Sequence, residues 1–68
     1  MMASEIEATA DAMVAAGWPG FELHRCGGDW MATFFRYTPH SSCKISAVGR
    51  DKHLSMAIAK AKEKAHAL

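Results

Sequence analysis

The sequence predicts an α+β fold of order α-β-β-β-α, an antiparallel three-stranded meander with a helix at each end; both helices on one sheet face is the favoured packing, and one helix on each face the alternative. Three observations carry this. Apolar residues recur at helical spacing near both ends of the chain, and the middle alternates as strands do. Gly and Pro punctuate the boundaries. The alanine-heavy stripes of both helices are narrow enough to share one face.

The first helix is expected from about Glu5 to Ala16. Ser4-Glu5-Ile6-Glu7 has the capping-box pattern, in which the Ser4 hydroxyl accepts from the Glu7 amide and Glu7 reaches back to Ser4. Ile6, Ala10, Met13 and Val14 form its apolar stripe. Gly17 supplies a left-handed stop, with Pro19 just beyond.

Phe21 to Cys26 reads as the first strand, Gly27-Gly28-Asp29 as a tight turn, and Trp30 to Tyr37 as the second strand. Both faces of that second strand are apolar. Trp30, Ala32 and Phe34 lie on one, Met31, Phe35 and Tyr37 on the other. The apolar pattern selects the register. An even-numbered loop puts Phe21, Leu23 and Arg25 beside Trp30, Ala32 and Phe34, whereas a slip of one residue would put Glu22, His24 and Cys26 there. The first option buries the apolar set and brings Arg25 near Trp30 for a cation–π contact.

Thr38-Pro39-His40-Ser41-Ser42 has turn chemistry. A third strand follows from Cys43 to Val48, with Cys43, Ile45 and Ala47 inward, and Gly49 ends it. Asp51 is the expected N-cap of the second helix, whose stripe is Leu54, Ala57, Ile58, Ala61, Ala65 and Leu68. Lys60 and Lys64 fall on its flank and Lys62 opposite; lysines in the last turns suit the negative end of the helix dipole.

Sixty-eight residues make one domain, 1–68. Half are hydrophobic and the charge is mixed, which excludes disorder as a class. No apolar run approaches the ~20 residues that span a bilayer, and no basic-then-apolar leader opens the chain. The expectation is a soluble cytoplasmic protein with no membrane partner and with Cys26 and Cys43 reduced. Net charge is +1, but it is unevenly spread. Residues 1–24 hold Glu5, Glu7, Asp11 and Glu22 with no base, giving −4; residues 25–68 hold eight bases against Asp29, Asp51 and Glu63, giving +5.

The element order, with an alanine-rich last helix ending Ala-Lys-Ala-Lys-Glu-Lys-Ala-His-Ala-Leu, is similar to the double-stranded-RNA-binding domain. That resemblance implies duplex RNA as a ligand. The family's Gly-Pro-x-His loop corresponds here to Gly27-Gly28-Asp29, and its Lys-Lys cluster to Arg50-Asp51-Lys52-His53-Leu54-Ser55, which holds one lysine and an acid. A second resemblance rests on Trp30-x-Ala32-x-Phe34 with Ala57-Ile58 and Ala61. These residues resemble a group of small phage proteins described as an α-β-α sandwich domain. It implies phage or prophage origin and an accessory role by stoichiometric binding to a host or defence component, anti-CRISPR proteins among them.

Chemistry offers fewer leads. His24-x-Cys26 and His40-x-x-Cys43 contain four ligands suited to tetrahedral zinc, but in a meander the second strand separates them by ~10 Å. Cys26 beside His24, with Glu22 on the same face, is the one nucleophile–base pair with helpful spacing. A chain of this length has little room for a water-excluding pocket beside a core, so no catalytic residue, metal or cofactor is assigned. Gly27-Gly28 is a hairpin turn and not a phosphate loop, since no helix follows it.

What remains is the second sheet face. Its candidate partner-binding residues are Met31, Phe35, Tyr37, His24 and Lys44, an apolar centre with a polar rim that fits a protein partner or a homodimer. The alternative is nucleic-acid binding through Arg50, Lys52, Lys60 and Lys64, joined by Lys44.

Overall fold

The computed structural model describes residues 3–40 and 42–68. Ser41, part of the expected turn before the third strand, lies outside them. In order the elements are α1 (Ala3–Ala15), β1 (Gly20–Cys26), β2 (Asp29–Tyr37), β3 (Lys44–Asp51) and α2 (Leu54–Ala67). The strands form one antiparallel sheet in the order β1-β2-β3, so the chain is the α-β-β-β-α meander expected.

The register is the one the apolar pattern selects, and Asp29, expected in the turn, opens β2 and leaves Gly27-Gly28 as a two-residue loop. Phe21 pairs with Phe34, Leu23 with Ala32 and Arg25 with Trp30. Gly27 has a φ of 61° and is the first of two residues between Cys26 and Asp29, the position where a two-residue hairpin turn of right-handed twist needs positive φ. Across β1 and β2 the Phe21 and Phe34 rings stack at 4.8 Å, and the Arg25 guanidinium carbon lies 4.9 Å from the Trp30 ring centroid.

Both helices lie on the face that carries Trp30, Ala32 and Phe34. Ala32, Phe34 and Ala47 from the sheet are buried with Met13 of α1, with Trp18, and with Ala57, Ile58, Ala61 and Ala65 of α2. Ile6, Phe21, Leu23, Trp30, Ile45 and Leu54 pack around this set. Phe34 is at the centre. Truncating such a ring costs about 3–5 kcal/mol, comparable to the whole stability a core of this size supplies.

Six local expectations are corrected. The capping box does not form, because Ser4 is already inside α1 and so has no N-cap role. Val14 is 53% exposed. It sits ~100° around the helix from Met13, outside a stripe only one residue wide there. Strand β3 does not stop at Gly49 but runs to Asp51, and Cys43 lies before it, exposed. Gly49 continues the strand because α2 passes directly over it: a Cβ there would overlap the Ala57 carbonyl oxygen and the Ala61 amide. Asp51 is therefore strand, and His53 is the N-cap of α2; the Asp51 carboxylate instead accepts from the His53 amide at 2.9 Å. Leu68, past the end of α2, is 67% exposed and leaves the stripe.

Trp18 is the core residue the periodicity passes over. The Trp18 amide donates to the Met13 carbonyl at 2.8 Å and the Gly17 amide to Val14 at 3.0 Å, the paired bonds of a Schellman stop. Gly17 takes the left-handed conformation this requires, φ 97°. The motif turns Trp18 back against Met13, and both are buried. A tryptophan between a helix stop and Pro19 belongs to no stripe, so its burial shows only once the stop geometry is recognised.

Candidate functional site: the open sheet face

Because the helices share one face, no helix or strand among the described residues covers the other. Cross-strand pairing fixes its layout as rows. Tyr37 stands beside Lys44; Gly20, Phe35 and Ser46 form the next row; then Glu22, Thr33 and Val48; then His24, Met31 and Arg50. The five residues expected to bind a partner, Met31, Phe35, Tyr37, His24 and Lys44, all lie on this one face.

The aromatic centre is ordered by its neighbours. The Phe35 ring lies across β1 in the space over Gly20, where any Cβ would overlap it. Tyr37 meets that ring edge-on, centroids 6.3 Å apart at 85°. The Lys44 ammonium sits 4.2 Å from the Phe35 centroid. Together these leave Phe35 half-buried while Tyr37 stays 58% exposed. Thr33 is only 7% exposed although it belongs to the open face. Its row lies between those of Met31 and Phe35, which are both half-buried.

The rim is charged in a graded way. On the β1 side His24 Nε2 lies 3.2 Å from the Glu22 carboxylate, both well exposed. On the far side Arg50 Nε donates to the Asp29 carboxylate at 3.0 Å. Cys26, half-buried, and Cys43, exposed, are both thiols. Since β2 lies between β1 and β3, the His24–Cys26 and His40–Cys43 pairs do not converge. Among the described residues no three His, Cys, Asp or Glu side chains gather around a common point.

No protein family, curated protein or solved structure matches this chain. What it binds is therefore a question for its own surface chemistry.

The alternative basic set divides in the structure. Arg50, Lys60 and Lys64 do come together, around a cavity of about 530 Å³ between β3 and α2 that Glu63 also lines. Two of the three are engaged. Arg50 pairs with Asp29, and Lys60 donates to the Asp51 carboxylate at 2.9 Å and to the Arg50 carbonyl at 3.2 Å. The His53 amide, and after it the Lys60 ammonium, hold the Asp51 carboxyl below its ordinary range. Lys52 is exposed in the turn before α2. Lys44 lies at the other end of β3, six residues from Arg50 and roughly 20 Å away. It belongs with the aromatic face.

No helix among the described residues is long and apolar enough to cross a membrane.

Proposed function

We propose that this chain is a non-enzymatic accessory protein of the cytoplasm, of phage or prophage type, that docks a protein partner stoichiometrically through its open sheet face. The partner is a host or defence component, as for anti-CRISPR inhibitors, or a second copy of the chain. The phage reading draws on the resemblance of Trp30-x-Ala32-x-Phe34, Ala57-Ile58 and Ala61 to small phage proteins. The docking reading draws on one observation: Met31, Phe35 and Tyr37 occupy a sheet face that neither helix covers. Half-buried Met31 and Phe35 beside exposed Tyr37, rimmed by His24 and Lys44, resemble the anchor-and-rim anatomy of protein interfaces.

The test is the double replacement Phe35→Ser with Tyr37→Ser, beside Tyr37→Ser alone. Association is followed by sedimentation over a concentration series and by photo-crosslinking from position 31. The expected result is a folded protein that no longer self-associates or crosslinks. If the single variant unfolds, or associates as well as the parent, the reading fails.

Nucleic-acid binding, including duplex RNA, is the second reading, favoured by the convergence of Arg50, Lys60 and Lys64. Phosphate contacts lose affinity steeply with salt, whereas an apolar face does not. A duplex that causes no mobility shift at low salt removes this reading.

A further inference from the structure

The chain has three arginines, and two of them have their Nε protons accepted. Arg25 Nε donates to the Gly27 carbonyl at 3.3 Å and Arg50 Nε to the Asp29 carboxylate at 3.0 Å. Arg36 Nε is buried and has no hydrogen-bond partner among the described residues. Buried N–H groups are seldom left so, since the lost hydration is not replaced. The side chain is fixed in place by its aromatic neighbour: its guanidinium carbon lies 4.8 Å from the Trp18 ring centroid. Trp18 is in turn fixed by the Schellman stop.

Arg36 lines a cavity of about 350 Å³ at the end of the sheet, with apolar walls from Pro19, Pro39 and Ile45. Among the described residues it is the one charged residue lining that cavity. At the nearby α1 C-terminus the Met13 and Val14 carbonyls already accept from the Trp18 and Gly17 amides.

We propose that this cavity is a binding site for a small carboxylate with an apolar body. A guanidinium offers parallel donors that match a carboxylate in two-point geometry. A single positive charge balances a monoanion; a phosphate dianion would be left with excess charge and no second cation among the lining residues. The apolar walls suit a ring or short alkyl group, and the volume lies at the small end of ligand cavities. Tyr37 lines both this cavity and the open face, so Arg36, which lies on the opposite sheet face, is the residue that separates the two roles.

Phenylacetate is the probe, with 2-phenylethanol supplying the same body without charge and inorganic phosphate supplying charge without the body. Titrations of the isotope-labelled chain are followed by NMR at the Arg36 Nε–H and the Trp18 indole. Saturable shifts with phenylacetate, about tenfold weaker or absent with both controls, are the expected result. Arg36→Lys should weaken the response about tenfold while keeping a dispersed spectrum, since an ammonium lacks the planar fork. No saturable shift in the parent protein overturns the proposal. So does equal response to 2-phenylethanol, which makes the cavity merely apolar, or to phosphate, which makes it a general anion site.

Discussion

The Lys44 ammonium stands 4.2 Å from the centroid of the Phe35 ring, at the diagonal position across β2 and β3, on the face that no helix covers. A cation over an exposed ring contributes about 0.5–1 kcal/mol. It also holds the ring down over Gly20, so the open face keeps one shape before any partner arrives. A double-mutant cycle of Lys44→Met and Phe35→Leu, read by urea unfolding, should return a coupling energy of about 0.5–1 kcal/mol. The Lys44 methylene protons next to the ammonium should be shifted upfield by the ring and lose that shift in Phe35→Leu. Zero coupling with unshifted protons would show that the two groups do not meet in solution.

The closest approach of helix to sheet is at Gly49, where α2 crosses β3. Adding one methyl there sets it against the Ala57 carbonyl and the Ala61 amide, both backbone atoms that cannot rotate away. Overpacking of this kind costs about 1–3 kcal/mol. In a domain with so small a core, Gly49→Ala should lower the urea midpoint severely or prevent folding. Gly28→Ala is the matched control, because a Cβ there meets nothing within 4 Å and the backbone φ is not positive. It should stay within about 0.5 kcal/mol of the parent. Equal losses in the two variants would mean that the α2–β3 contact is looser than described.

Register was legible in the sequence because only one pairing buries the apolar set, whereas the pattern leaves Asp29 in the turn although it opens β2. The Arg25–Trp30 contact followed from that pairing, and so did the membership of the open face. What the pattern missed depended on contacts between distant segments. Gly49 looked like a strand terminator because a glycine's role as clearance for a crossing helix leaves no periodic trace. Trp18 lies between α1 and β1 and Arg36 near the end of β2, and the Schellman stop brings them together. Asp51 had a capping residue's identity and does accept a backbone amide, but from His53 at the end of the strand.

Gly17 tests how much that stop contributes. Its φ of 97° lies in the region that side-chain-bearing residues disfavour, and nothing near it would crowd a Cβ. The cost of Gly17→Ala is therefore conformational, about 1–2 kcal/mol. Because the motif also positions Trp18 under Arg36, the variant should broaden the Trp18 indole resonance as well as lower the urea midpoint. A variant that loses stability with the Trp18 signal unchanged would show that Trp18 is held by the core and does not need the stop.

Asp51 joins β3 to α2 by accepting from the His53 amide and the Lys60 ammonium, and these contacts hold its carboxyl below the ordinary range. The sign follows from linkage. A group that releases its proton more readily when folded stabilises the fold above its unfolded pKa, about 3.9 for Asp, and that stabilisation fades as pH falls through the lower folded value. The Asp51→Asn variant should therefore have a lower urea midpoint than the parent at neutral pH. The two midpoints should hold a constant separation down to the ordinary carboxylate range and converge in more acidic solution. Lys60→Met should remove part of the separation and leave the part due to the His53 amide, the larger of the two causes. A gap between parent and Asp51→Asn that stays constant through the acid range would show that the carboxylate charge contributes nothing at this junction.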